Sequence, residues 1–258
     1  MTSRVVPLSL IAVLLGASAA LAAPKPIAPV DLSKPFGLAQ GWQLRVTQGP
    51  DVADPLGEKA PGPLHLCLTA DGGKTCRPSL DDMLVFQRDR GAFFEPHVLL
   101  ATRIVHPSPD RPLLWVEAAG MYGVNGDQRV GRVMLRYDRA SGRFVRVFQL
   151  VTGHNNNQDV RYIDKGPLRG AIVSAEPTPN APFAFWITVR RMGADGRYAP
   201  VLRYHSRTRY GDGNALPVID SEMPEIQRRL KLWQPGQPLP LPDRACARPH
   251  LVGRVLWC

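Results

Sequence analysis

The chain has 258 residues, of which 44% are hydrophobic and 21% charged, and it carries a formal net charge of +10 at pH 7. This is the composition of a folded globular protein and excludes intrinsic disorder and collagen-like repeats. The length allows one large core or two smaller ones.

The N-terminus opens with Arg4, continues through the apolar run Leu8–Leu15 and ends in the small residues Ala20-Leu21-Ala22. That order is the pattern of a secretory signal, residues 1–22, with cleavage after Ala22. Cutting one residue later would place Pro24 directly after the scissile bond. Pro7, Ser9, Gly16 and Ser18 interrupt the run, whereas a membrane-spanning helix wants about 20 mostly apolar residues. A cleaved signal is therefore expected, leaving no transmembrane anchor in the mature form. Residues 23–35 are rich in proline (Pro24, Pro26, Pro29 and Pro35) and predict a flexible lead-in. A single domain is expected over 36–258.

That domain is predicted to be all-β, multi-stranded and antiparallel, either β-propeller-like or a β-sandwich, with one short C-terminal amphipathic helix. Predicted strands cover 41–48, 64–69, 83–88, 98–105, 113–119, 131–137, 143–150, 159–163, 170–175, 183–191, 199–205 and 250–257. These short runs are rich in Val, Ile, Phe, Tyr and Trp and are punctuated by Gly, Pro, Asp and Asn turns.

Cys67, Cys76, Cys246 and Cys258 form an even set in an exported chain, which argues for two disulfides. Four cysteines allow three pairings, and the sequence leaves all three open. Local closure favours Cys67–Cys76, across the turn Asp71-Gly72-Gly73 of a short hairpin, and Cys246–Cys258, tying the end of the chain to the body. The C-x2-C spacing of zinc sites is absent, so no metal is expected.

Two longer hairpins are predicted. One turns at Asp138–Gly142, where Gly142 can take the positive φ of a type I turn with a bulge and Asp138 can accept from turn amides. The other turns at Gly193-Ala194-Asp195-Gly196. The cadence Tyr137-Asp138-Arg139-Ala140-Ser141-Gly142 resembles the outer hairpins of β-propeller blades. The resemblance implies blade-like four-stranded sheets, although Gly73, Gly142 and Gly196 are unevenly spaced where blades repeat every 40–50 residues or so.

The predicted helix starts at Ser221 as N-cap, with Glu222 and Glu225 near its positive end and Arg228, Arg229 and Lys231 near the other. Met223, Ile226, Leu230 and Trp233 share one face. The tract Pro235–Pro242 then reads as an extended surface segment.

Catalytic signatures are absent: there is no G-x-S-x-G, P-loop, H-E-x-x-H or G-x-G-x-x-G. His106, Ser108 and Asp110 hold the letters of a triad, but triads assemble from distant segments. Tyr122–Asp127 has the outline of a calcium loop. Gly123 and Met134 stand where two ligands belong, so Asn125 and Asp127 read as turn residues.

The candidate ligand-binding residues are the amide-rich run His154, Asn155, Asn156, Asn157 and Gln158, together with Asn214. Carboxamides both donate and accept hydrogen bonds, which suits hydroxyl-rich ligands. The candidate acid/base carboxylates are Glu176, Asp212 and Asp220; Glu176 paired with either aspartate would give a glycosidase-like arrangement. Trp186 is either a stacking platform or core.

The basic residues are mostly arginine, since 32 Lys and Arg less 6 Lys leaves 26 Arg. Two readings stand, attraction to an acidic envelope polymer and a coding bias towards arginine. The arginines are spread along the chain without interleaved aromatics, which argues against nucleic acid. The expected protein is exported, periplasmic or secreted, needs no cofactor, and serves as a non-catalytic binding domain for a glycan or envelope component. The alternatives are a carboxylate-dependent polysaccharide hydrolase and a structural envelope protein. The oligomeric state is left open.

Overall fold

The computed structural model describes residues 24–39, 41–77, 80, 95–124, 126–153, 158–242 and 246–258. The signal segment, the predicted strand 83–88 and residues 154–157 lie outside the described residues. The fold is antiparallel β with one substantial helix, as the alternating apolar pattern requires.

Sheet I contains β1 (Lys25–Asp31), β2 (Gln43–Gln48) and β5 (Leu64–Thr69), in the order β1-β2-β5. Its connections carry the single turn α1 (Ser33–Phe36) and the small hairpin β3 (Val52–Ala53) and β4 (Lys59–Ala60). Sheet II is the meander β6 (Val98–Val105), β7 (Leu113–Tyr122), β8 (Gln128–Asp138) and β9 (Arg143–Thr152). Sheet III repeats that plan with β10 (Asp159–Tyr162), β11 (Ile172–Pro177), β12 (Phe185–Met192) and β13 (Tyr198–His205). A helix, α2 (Val218–Arg229), and a closing hairpin, β14 (His250–Val252) and β15 (Val255–Trp257), follow.

The period of two along each strand stacks the sheets. In β7, Leu114, Val116 and Ala118 join the core shared with sheet I, around Leu44, Val46, Leu66 and Phe144. Leu113 and Trp115, on the other face of the same strand, join the core shared with sheet III, with Met134, Phe148, Tyr162 and Ile172. Sheet III divides likewise: Val173, Ala175, Ile187 and Val189 face α2 through Val218, Ile219 and Ile226. Sheet II is thus buried on both faces, which explains its near-continuous apolar strands.

Four sequence expectations are corrected. Lys25–Asp31 lies in the expected flexible lead-in but forms a strand. It is an edge strand with a register shift between Ile27 and Val30, the setting in which Pro26 and Pro29 need no ladder hydrogen bond. The run 250–257 is a hairpin rather than one strand, turning at Gly253 with φ 65°.

The segment after Asp71 does not return as a strand. It is a loop in which Asp71 accepts from the Thr69 hydroxyl at 2.6 Å and the Thr75 amide at 3.0 Å. The helix starts at Val218 rather than at Ser221, because Val218 and Ile219 are needed in the core and Pro217 supplies an extended N-cap. It ends before Lys231, whose positive φ of 58° breaks the helical path. Trp233 therefore lies beyond the helix and donates from its indole to the Pro238 carbonyl at 2.9 Å, which holds the proline tract.

Both disulfides form as locally paired, Cys67–Cys76 and Cys246–Cys258, with Cα separations of 4.9 and 5.3 Å. Among the described residues, no helix is long and apolar enough to cross a membrane.

Candidate functional sites

The strands of sheets II and III place two sets of connections at opposite ends. At one end are Gly153, Gln158 and the tips carrying Glu176 and Trp186. At the other are the β6–β7 connection and the β8–β9 and β12–β13 turns.

His154, Asn155, Asn156 and Asn157 lie outside the described residues, as does Asn125. Gln158 closes the base of the amide loop by accepting from the Gly153 amide at 3.0 Å. Asp159 pairs in register with Ala175, which brings Gln158 to the same end of sheet III as Glu176. Glu176 follows Ser174 on the face of sheet III turned towards sheet II. It accepts from the Ser174 hydroxyl at 3.2 Å, and Ser174 in turn accepts from Arg190 at 2.9 Å. Burial lowers the affinity of Arg190 for its proton and Glu176 offsets this. Trp186 sits opposite Glu176 in register, with the Arg203 guanidinium 4.5 Å from its ring centroid, so one indole face is already covered.

Asp220 belongs to α2, which packs on the opposite face of sheet III. Arg161 donates to Asp220 at 2.7 Å and to Asp159 at 2.6 Å, joining helix to sheet. Glu176 and Asp220 therefore stand on opposite sides of sheet III. Asp212 is an exposed turn residue that accepts from the amides of Arg209 at 3.2 Å and Asn214 at 3.0 Å. Asn214 ties three segments together, donating to the Ser221 hydroxyl at 3.1 Å and the Leu256 carbonyl at 2.8 Å, and accepting from the Leu216 amide at 3.2 Å. The geometry gives these two residues structural tasks and brings neither to Glu176. Asp127 caps its own turn, where Gly123 donates to the Asp127 carbonyl at 2.7 Å. The Ser108 hydroxyl donates to Asp110 at 2.8 Å, with His106 nearby in the same groove.

Among the described residues, no three His, Cys, Asp or Glu side chains are placed to hold a metal ion.

The feature absent from the sequence reading is a basic groove at the turn end. It encloses about 650 Å³ between α1, the β6–β7 connection and the β8–β9 and β12–β13 turns. Lys34, Arg111, Arg136 and Arg139 line it. Through Arg111 and Met192 it continues into a second depression of about 250 Å³ lined by Arg169 and Arg191. Six basic side chains face two acidic ones, Asp110 and Asp195.

Several of these cations are held in place. Arg139 donates to the Phe36 carbonyl at 3.3 Å and Arg191 to the Pro167 carbonyl at 3.1 Å, while Arg136 lies 3.5 Å from Asp138. Arg111 and Arg169 make no side-chain hydrogen bond or close ion pair among the described residues. The carbonyls that hold Arg139 and Arg191 cancel no charge, and the basic residues outnumber the acidic ones, so the groove keeps a positive field. These residues come from five separate segments, and only the stacking of the sheets brings them together.

Compared with protein-family models, with curated proteins and with solved structures, the chain matches none.

Proposed function

We propose that this chain is an exported, non-catalytic binding domain for an acidic polysaccharide, which it holds in the groove of Lys34, Arg111, Arg136, Arg139, Arg169 and Arg191. The observation that carries the proposal is the excess of six cations over two anions along one continuous groove. A single small anion would want its donors converging on one point. A row of arginines, of which Arg139 and Arg191 are held by backbone carbonyls, suits repeated carboxylates, sulfates or phosphates, which guanidinium recognises in a planar, bidentate manner.

Nucleic acid fits less well. The groove's aromatic residues are Phe36, which is buried, and Tyr137, which packs edge-on against Trp42 and Phe144. Neither offers a face on which a base could stack. The two disulfides and the signal-like N-terminus support an oxidising, exported setting.

The test is affinity electrophoresis or calorimetry with polygalacturonate and dextran sulfate, and with neutral dextran as control, at two salt concentrations. The double variant Arg111→Glu/Arg169→Glu reverses two cations that make no side-chain hydrogen bond or close ion pair among the described residues, and it should leave the fold intact. Binding to an anionic polymer that weakens with salt and falls about tenfold or more in the variant is expected. Equal binding by the variant, or no binding to either anionic polymer at low salt, refutes the proposal.

A further inference from the structure

β9 and β13 are edge strands of sheets II and III. They meet where Phe148 packs edge-on against Tyr198, with ring centroids 6.0 Å apart. At this contact lies a depression of about 240 Å³ whose polar lining is Arg146, Gln149, Arg190 and Arg197. It shares no lining residue with the basic groove.

Both strands are irregular here. Arg146 and Phe148 stand opposite Leu135 and Met134 of β8, so Val147 is an extra residue. Pro200 and Leu202 stand opposite Arg190 and Val189 of β12, so Val201 is another. A bulge bends its strand and re-aims the adjoining side chains. Val147 and Phe148 are both buried, where strict alternation would bury one of them, and Arg146 is left exposed at the rim.

Three guanidiniums line the depression and no acidic side chain does. Arg146 and Arg197 make no side-chain hydrogen bond or close ion pair among the described residues, and Asp195 accepts only from the Arg197 main-chain amide, at 3.0 Å. Arg190 is half-buried and donates to the neutral Ser174 hydroxyl, which stands between it and Glu176. Burial draws its pKa below the ordinary arginine value; Glu176 pulls the other way without restoring it, and Arg203 adds to the lowering. An anion brought alongside such a cation favours its charged form.

We infer that Arg146, Arg190 and Arg197 bind one tetrahedral oxyanion, a phosphate or sulfate group, in this depression. The volume is below that of small-molecule sites, which start at about 300 Å³, so one group fits rather than a sugar ring or a chain. A carboxylate has two oxygens and satisfies one guanidinium fork. A tetrahedral oxyanion has acceptors for several forks at once. The site is independent of the binding proposed for the groove.

The experiment is calorimetry and thermal melting of the full chain with inorganic phosphate, sulfate, glycerol 3-phosphate and, as the carboxylate control, acetate. Ionic strength is matched at about 0.15 M, where exposed charges more than about 8 Å apart are largely screened. Saturable binding of phosphate and sulfate is expected, with a rise in melting temperature and no comparable effect of acetate. Arg146→Gln/Arg197→Gln replaces two exposed side chains and should weaken binding about tenfold or more. Arg190→Lys keeps the charge, loses the fork and should also weaken it. Arg111→Glu/Arg169→Glu, in the groove, should not. Tighter binding of glycerol 3-phosphate than of phosphate assigns the site to an ester-borne group, and the reverse order to the free ion; both support it. Four results overturn the inference: neither phosphate nor sulfate binds saturably, acetate binds equally well, binding is indifferent to both the double variant and Arg190→Lys, or binding is lost in the groove variant instead.

Discussion

Glu222 is fully buried at the junction of α2 with the end of sheet III. Its carboxylate accepts from the Tyr204 hydroxyl at 2.9 Å, the Arg207 amide at 3.1 Å, the Thr208 amide at 2.9 Å and the Thr208 hydroxyl at 2.7 Å. Burial and the adjacent carboxylate both push the Tyr204 hydroxyl far above its ordinary pKa, so it remains a donor throughout the accessible range. Replacing Glu222 with alanine leaves these donors facing a void.

Each orphaned buried donor costs about 1–3 kcal/mol. The four share one site, so their costs are not additive, and removing a buried charged acceptor costs roughly 3–5 kcal/mol. Against a total stability of about 5–15 kcal/mol this is a large fraction. At this chain length it corresponds to a melting-temperature drop of about 6–20 °C. Glu222→Gln keeps one acceptor oxygen and should lose about half as much.

Urea denaturation followed by circular dichroism, with disulfides intact, measures both variants. Tyr204→Phe combined with Glu222→Ala should cost less than the sum of the two single changes. A loss below about 1 kcal/mol for Glu222→Ala, or equal losses for the alanine and glutamine variants, would show that the carboxylate does not organise this junction.

Two further stability effects follow from single sites. Burial raises the pKa of Glu225, but paired hydrogen bonds from Arg228 at 2.7 and 2.8 Å and from Arg229 at 2.6 Å outweigh it and hold the group down at about 2. Its folded pKa lies below the ordinary glutamate value of about 4.3, so its stabilisation is complete above about pH 5 and lost as pH falls towards 2. The stability gap between the parent and Glu225→Gln should therefore be open at pH 7 and closed near pH 2; a gap that does not change with pH contradicts the assignment. At Gly62, a Cβ would sit 1.9 Å from the Pro50 carbonyl oxygen, whereas at Gly41 it would meet nothing within 4 Å. Gly62→Ala should cost more than about 2 kcal/mol and Gly41→Ala less than about 0.5 kcal/mol in the same denaturation assay; equal effects would remove the steric argument.

Much of the strand pattern was legible because alternation is a local property. The runs 64–69 and 98–105 coincide with β5 and β6, since their side chains report burial two residues at a time. The turns at Gly142 and Gly196 were legible for the same reason: the positive φ values of 62° and 72° there are those glycine adopts without strain. The disulfide pairing followed from short loops.

The start of α2 was not legible, because a cap preference worth about 1 kcal/mol yields to the burial of Val218 and Ile219. Nor was β1, whose prolines suggest a loop until β2 offers an edge.

Site residues divide the same way. Asp212 announced a turn and makes one. That Glu176 and Asp220 lie on opposite faces of sheet III depends on which side α2 packs, which no spacing encodes. The arginines of the groove look evenly scattered over some 158 positions from Lys34 to Arg191.

By itself, then, the sequence determined what is local: strand periodicity, turn chemistry and nearby cysteine pairs. Only the tertiary structure decided which sheet faces meet, where the helix closes the stack, and therefore which charges converge in one groove. Those properties arise from contacts between residues far apart in the chain, and their energies appear only when the sheets are stacked.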